Sequence, residues 1–274
     1  MSVLDTSNIK NVIYNNIEAD ALYKGSNLIW KKEEKVVPSE YTELIIDTRL
    51  YDDTSTNSKW GTYDSNGNLQ EVDFVTPGIY TVKLDENSTI INNSANAYGY
   101  SKCVIECNKI IDFETTKNEN FLMYYFKNCT NLTKFNCEIP NGYTNISHMF
   151  YGCTSFNQPI TLPESVSLCT QTFYECKSFN QPITIHEGIT YCSHMFYGCT
   201  SFNQPIELPS SMIYCGYMFA NCKALTSVVS NWNKTYKKSI TPTNCYITCT
   251  AINTIDGQPG TLDDIPTTWG GNKK

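Results

Sequence analysis

The sequence predicts a mainly β chain: a small N-terminal β-meander, a β-rich middle region, and a solenoid of short parallel strands joined by short helical turns. Three observations predict it. Residues 147–160 (SHMFYGCTSFNQPI), 170–183 (TQTFYECKSFNQPI) and 193–206 (SHMFYGCTSFNQPI) repeat one phrase every 23 residues. A fixed period of this kind marks stacked units, none of which can bury its own apolar face alone. Residues 1–32 alternate short apolar runs with turn residues, and ELIIDTRLYD and FVTPGIYTVKLD, within 44–120, have strand composition.

Residues 1–32 come first. NIKNVIY, IEADALY and LIW read as three short strands, with Asn15-Asn16 and Gly25-Ser26-Asn27 supplying two tight turns. One small sheet of this size buries too little to be firmly stable alone, so the piece is expected to pack against copies of itself or a partner. Residues 33–43 carry charge and Pro38 without an apolar period and read as a linker. Residues 44–120 are then a β-rich domain or a cap on the repeats. Within them Asp64-Ser65-Asn66-Gly67-Asn68 resembles a calcium loop at first sight. It lacks Gly at the sixth position and Glu at the twelfth, so a hairpin turn is the favoured reading.

The repeats occupy 121–255. Phe150, Phe173, Phe196 and Phe219 hold one position, and Cys153, Cys176, Cys199 and Cys222 another. The spacing of three from Phe150 to Cys153 to Phe156 suits a tight helical turn with one face inward. Ile160 and Leu162 alternate as in a strand, QPITL, and such strands are expected to pair in parallel between units. Asn157, Asn180 and Asn203 are expected to stack as a ladder satisfying buried turn backbone. Divergent copies at FKNCTNLTKF and CYITCTAINTI, and the tail 256–274, read as caps.

Chemistry is sparse. A net charge of −7 with a single arginine, Arg49, argues against nucleic-acid binding. From Phe121 to Ser230 there are four Lys and five Glu, so solubility there rests on Asn, Gln, Ser, Thr and Tyr. Most of the 13 cysteines follow the repeat, which favours buried free thiols over a disulfide framework. No CxxC pair, P-loop or GxSxG occurs, so no metal, cofactor or catalytic residue is expected. His148 and His194 share one repeat position with Gln171 and Tyr217, which favours a solvent-facing or turn-satisfying role over catalysis. The start MSVLDTSNIKNVIYNN has no continuous apolar core of a signal peptide. If that start is native, the chain is made in a cytoplasm and not exported by that route. No stretch reaches transmembrane length, so membrane insertion is not expected.

What the repeat leaves outside is its tyrosines. Tyr151, Tyr174 and Tyr197 follow the buried Phe, and Tyr191 and Tyr214 make a second pair. Such a stripe either contacts glycans or proteins, or covers a convex side or a neighbouring subunit.

Two resemblances sharpen these expectations. The phrase MF-x-x-C/A-x-x-F/L-N-x-x-I, at 149–160, 195–206 and 218–228, resembles BspA-type leucine-rich repeats, in the FNQ/MF variety of bacterial surface proteins. The resemblance covers about 126–255 and implies a right-handed solenoid used for adhesion or protein contact. The run IKNVIYNNIEADALYKGSNLIWKK resembles the small module at the end of many phage tail, baseplate and head-fibre proteins. Together they imply a non-enzymatic phage virion protein: a head fibre, decoration or tail-associated subunit. Residues 1–32 would join it to other virion proteins or to copies of itself, with a trimer as the usual form of such fibres. The repeats would meet a host or mucosal surface glycan or protein, and the location would be the virion, exposed after lysis. The alternatives are a bacterial or protist cell-surface adhesin, and a carbohydrate-active enzyme with the repeats as its binding module.

Overall fold

The computed structural model describes residues 12–14, 17–19, 21–24, 27–31, 42–50, 61–63, 69–71, 78–84, 102–228, 243–246, 248–255, 258–265, 267–269 and 271. The chain divides into two compact units, Met1–Ser39 and Glu40–Lys274.

In the first unit four strands form two antiparallel pairs: β1 (Val12–Tyr14) with β2 (Ile17–Ala19), and β3 (Ala21–Lys24) with β4 (Asn27–Lys31). The three-strand reading is therefore corrected. IEADALY does not run as one strand; its first half pairs backward and its second half forward. Each half takes the partner nearest in sequence, the pairing with the least loop-closure cost. The turn residues Asn15, Asn16, Gly25 and Ser26 lie outside the described residues, as does the loop 64–68.

The second unit opens with β5 (Thr42–Asp47), whose Leu44 and Ile46 are buried. β6 (Gly61–Tyr63) and β7 (Leu69–Glu71) pair antiparallel on either side of 64–68. β8 (Ile79–Leu84) and β9 (Val104–Lys109) flank β5 antiparallel. α1 (Phe113–Thr116) is a single turn, started by Asp112 accepting the Glu114 N–H and stopped by Lys117 in the left-handed region. Tyr143 then donates its hydroxyl to the Ile111 carbonyl at 2.8 Å, tying this region to the repeats, and burial pushes its pKa up to about 12.

The repeats stack by a backbone device that the sequence does not display. In one unit the N–H groups of Ile146, His148, Phe150 and Gly152 donate to the carbonyls of Leu168, Thr170, Thr172 and Tyr174 in the next. The intervening N–H groups of Met149, Tyr151 and Cys153 turn back to the carbonyls of Ile146, His148 and Phe150. Alternate peptide groups thus point between units and within them. The pattern recurs at Cys169, Gln171, Phe173 and Glu175, and at Cys192, His194, Phe196 and Gly198. Flipping alternate peptides needs left-handed residues. Among the described residues, ten of the eleven non-glycine residues with positive φ fall at just two positions of the unit: Tyr124, His148, Gln171, His194, Tyr217 and Asn244 at one, Asn128, Glu175, Asn221 and Thr248 at the other. Each costs about 1–2 kcal/mol of backbone strain, offset by inter-unit bonds of about 0.5–1.5 kcal/mol apiece. The expected helical turns are accordingly a ribbon of linked i→i+3 turns; a helix would send every N–H the same way.

The expected parallel strands at QPITL are also corrected. Residues 157–163, 180–186 and 203–209 form no strand. The reason is Pro159, Pro182 and Pro205, which lack the N–H a ladder needs. Where the equivalent residue is not proline, the strand appears. β10 (Lys134–Phe135) pairs in parallel with β9, and β11 (Ser227–Val228) pairs in parallel with β12 (Thr254–Ile255). β13 (Gln258–Pro259) closes that edge antiparallel. Between the regular units the only parallel bridges form one residue per unit, through Asn145, Leu168, Tyr191 and Tyr214.

Packing follows the period. A column of near-parallel rings runs through Phe126, Phe150, Phe173, Phe196, Phe219, Tyr246 and Trp269, with centroids 5.4–6.4 Å apart. Phe156, Phe179 and Phe202 form a second column beside it at 6.1 Å steps. All these phenylalanines are fully buried or nearly so.

Candidate functional site

The cysteines belong to this core. Cys153, Cys176, Cys199, Cys222 and Cys249 each donate the thiol to the carbonyl of the aromatic residue one unit earlier: Phe126, Phe150, Phe173, Phe196 and Phe219, at 2.8–3.0 Å. All thirteen are free thiols, and all but Cys137 are buried. Burial pushes Cys169 and Cys249 up to about 12 and raises Cys176, Cys192 and Cys222 as well. Such thiols are held protonated and are poor nucleophiles.

The asparagines form a ladder at the surface. Asn157 Oδ1 accepts the Asn180 N–H, Asn180 Oδ1 that of Asn203, and Asn203 Oδ1 that of Thr226, at 2.8–2.9 Å. The N–H groups they satisfy belong to half-buried Asn180 and Thr226 and exposed Asn203, so this is not buried turn backbone. Gln158, Gln181 and Gln204 reach across to the preceding unit alongside them. These side chains link the units where proline forbids a backbone ladder.

Outside the core, two parallel columns of side chains lie together. Tyr151, Tyr174 and Tyr197 stack at 4.6 and 4.7 Å, each adjacent pair within 2° of parallel. Lys127 caps the row, with Nζ 5.2 Å from the Tyr151 ring and 5.2 Å from that of Tyr124. Three residues earlier in each unit stand Tyr124, His148, Gln171, His194 and Tyr217. Tyr124 stacks on His148 at 4.3 Å and His194 on Tyr217 at 4.9 Å. His148 and His194 also contact Tyr151 and Tyr197 at 6.0 and 5.8 Å, joining the columns.

This geometry redefines what the tyrosines offer. The three rings are half-buried and cover one another face to face. The central Tyr174 has neither face free, so it cannot serve as a platform on which a sugar lies flat. The row presents ring edges and hydroxyls instead. Ring edges carry the positive part of the quadrupole and suit carbonyl or anionic groups. Burial, followed by the neighbouring Tyr151 and Tyr197 and then Glu175, raises the Tyr174 pKa, so its hydroxyl stays a donor. Tyr191 and Tyr214 belong to a different column, that of the parallel bridges. There Tyr191 is 41% exposed and Ile213 beside Tyr214 is 44% exposed.

The two repeat histidines favour the neutral form. Desolvation, and for His148 also Lys127, holds both repeat histidines below the ordinary range. Their Nδ1 atoms are sealed from solvent without a hydrogen-bond partner. The third, His186, accepts the Gly188 N–H on Nδ1 at 3.1 Å and donates Nε2–H to the Pro163 carbonyl at 2.9 Å. It replaces at that position the proline found in the neighbouring units. The glycines of the FYGC phrase are also explained. Gly152 and Gly198 have φ of +72°, and a Cβ on either would strike the side chain of Asn128 or Glu175 in the preceding unit. Side chain and glycine alternate along that column from Asn128 to Asn221.

A groove of about 700 Å³ opens along the proline column, lined among others by Phe135, Cys137, Pro159, Pro182, Pro205 and His186. Among the described residues no group of three or more His, Cys, Asp or Glu is placed to hold a metal ion, and no helix is long and apolar enough to cross a membrane. Sequence reasoning missed Lys127 as the cap of the tyrosine row and the pairing of Tyr with His between columns. The i, i+3 relation of His148 to Tyr151 and of His194 to Tyr197 was the available signal.

A family described as "Mycoplasma protein of unknown function, DUF285" matches residues 120–232. Two solved structures are similar to this chain. One is a leucine-rich repeat protein from Bacteroides ovatus, 24% identical over 48% of this chain and 33% of that chain, with a TM-score of 0.36. The other is a leucine-rich repeat protein of T. pallidum, 19% identical over 50% of this chain and 62% of that chain, with a TM-score of 0.38. The matched regions thus span less than two thirds of either relative's length. No curated protein matches the chain.

Proposed function

We propose that this is a non-enzymatic adhesion protein whose repeats form a right-handed solenoid that holds a rigid tyrosine edge toward a protein, or the polar groups of a glycan, on a host or mucosal surface. The observation that carries this reading is the Tyr151–Tyr174–Tyr197 row. Its rings are aligned to within 2° by the ribbon beneath them, so little side-chain entropy remains to be lost on binding. The hydroxyls recur at nearly the step of the stack, 4.6–4.7 Å, which suits a partner with a regular row of acceptors.

In the same reading residues 1–32 attach the protein to a phage particle and to its own copies, as a head fibre, decoration or tail-associated subunit. Support comes from the resemblance of IKNVIYNNIEADALYKGSNLIWKK to the end modules of phage fibres and from the separation of Met1–Ser39 as a compact unit of its own. The match of 120–232 to a family named from Mycoplasma favours a second reading, a protein of the bacterial cell itself.

The test is binding of the full chain to fixed bacterial cells and to mucin-coated plates. Tyr151→Phe, Tyr174→Phe and Tyr197→Phe together keep the stack and remove the hydroxyls. Binding is expected to fall about tenfold or more, as loss of about 1.4 kcal/mol of polar contact requires. Unchanged binding would move the contact surface off this row. Probing purified phage particles and cell envelopes from the source with an antibody to the chain separates the two locations.

A further inference from the structure

The geometry points to a redox-modification site at Cys107 and Cys137: these two thiols close into a disulfide that locks β9 to the first repeat unit when a small disulfide oxidant enters the groove. Their sulfurs lie 3.6 Å apart, on segments thirty residues apart in sequence. Cys107 sits on β9, opposite Phe135 of β10, and Cys137 follows two residues later on the same strand edge. Closure to the about 2.05 Å of an S–S bond brings the two sulfurs together from 3.6 Å. Access singles out this pair. Cys137 is half-exposed and lines the groove, whereas the other twelve cysteines are buried. Cys129 with Cys153, and Cys215 with Cys245, also bring thiols together, but those four are sealed in the core.

The accessible thiol dictates the order of events. The Cys137 thiolate attacks one sulfur of a disulfide such as oxidised glutathione. A bond forms between Cys137 Sγ and that sulfur, and the other glutathione leaves as thiolate. Cys107 Sγ then attacks Cys137 Sγ, loses its proton, and expels the second glutathione as thiol. Two protein thiols are oxidised and one glutathione disulfide is reduced to two thiols, so electrons and protons balance. Burial and the nearby Cys137 raise the Cys107 pKa, which disfavours Cys107 as the starting thiol; its sulfur, 3.6 Å from that of Cys137, is placed to resolve the mixed disulfide.

The test oxidises the full chain with a graded ratio of oxidised to reduced glutathione. Remaining thiols are then blocked after unfolding, and peptides are mapped by mass. A single Cys107–Cys137 link is expected, with the other eleven cysteines blocked as free thiols and the midpoint of thermal unfolding raised. In Cys137→Ser, which alters a half-exposed side chain, no link and no rise are expected. In Cys107→Ser, glutathione is expected to stay on Cys137, because the resolving thiol is gone. A link first at Cys129–Cys153 or Cys215–Cys245 would overturn the assignment. So would glutathione left on Cys137 in the unaltered chain, or an unmodified pair after prolonged oxidation of the folded protein.

Discussion

The three regular units and the two ends of the stack solve one problem differently. Both must connect the stretch after the second Phe position to the next unit. At the ends, Phe135, Val228 and Ile255 stand where the ladder runs, and short parallel strands form. In the middle, Pro159, Pro182 and Pro205 stand there, and the connection passes to asparagine and glutamine side chains. The backbone ribbon on the other side of each unit keeps the same alternation from Tyr124 to Phe219. The ribbon is therefore what defines the stack, and the strand is an option that one residue type opens or closes.

The largest effect should come from the ring column that both regions share. Phe173→Ala leaves a cavity between two stacked rings and should cost about 3–5 kcal/mol, read as a lower urea midpoint for the whole repeat region. Trp269→Ala removes the last ring, which stacks on Tyr246 alone in that column. It should loosen the final unit, giving early amide exchange near Tyr246 while the middle stays protected. Equal global loss from both would show that the stack unfolds as one block with no separable end.

The proline contrast is tested next. Val228→Pro should abolish the β11–β12 pairing at a cost of about 1–3 kcal/mol, seen as lost amide protection at Thr254 and Ile255. Pro159, Pro182 and Pro205 changed together to Val should give new protection in all three units. If the triple variant gains none, proline is not what interrupts the ladder.

How much of this the sequence displays depends on the kind of force involved. The Phe and Cys columns are legible because burial selects residue type at a fixed interval. The proline effect was legible too: Pro159, Pro182 and Pro205 sit inside the predicted strand. There the apolar alternation of Ile160 and Leu162 suggests a strand, but the missing N–H decides against it. The ribbon was not legible. Left-handed positions are filled by Tyr, His, Gln, Asn, Glu and Thr alike, because inter-unit hydrogen bonds hold the backbone there whatever the side chain. The Tyr151, Tyr174 and Tyr197 positions could be named from the period, but not the face-to-face packing that leaves only their edges free. Cys107 and Cys137 belong to no common period, so only pairing of β9 with β10 brings them together.

A smaller effect tests the side-chain links of the middle. Asn180 Oδ1 accepts the Asn203 N–H at 2.8 Å and the Gln204 amide at 3.0 Å. Asn180→Ala should cost about 0.5–1.5 kcal/mol, measured by urea unfolding, and less if water replaces the lost acceptor. The equivalent of Asn180 in the first unit is Thr133, whose neighbours use the strand ladder. Thr133→Ala should therefore be nearly neutral, and a similar loss at both sites would erase the distinction between middle and end.

The smallest effect separates units of the middle from one another, since His148 and His194 share their position with Gln171. Burial keeps both rings neutral in the fold, with Lys127 adding to the effect at His148. Their folded pKa lies below the unfolded value of about 6.5, so on acidification the unfolded chain takes up protons first. Their contribution to stability is thus complete above about pH 6.5 and is lost as pH falls toward the folded pKa. His148→Gln with His194→Gln copies the residue that the central unit already uses at the same left-handed backbone position. The double variant should match the parent in urea midpoint at pH 8 and exceed it at pH 5. If the parent and the variant lose stability in parallel between those values, the sealed Nδ1 atoms are not what makes these two units acid-sensitive.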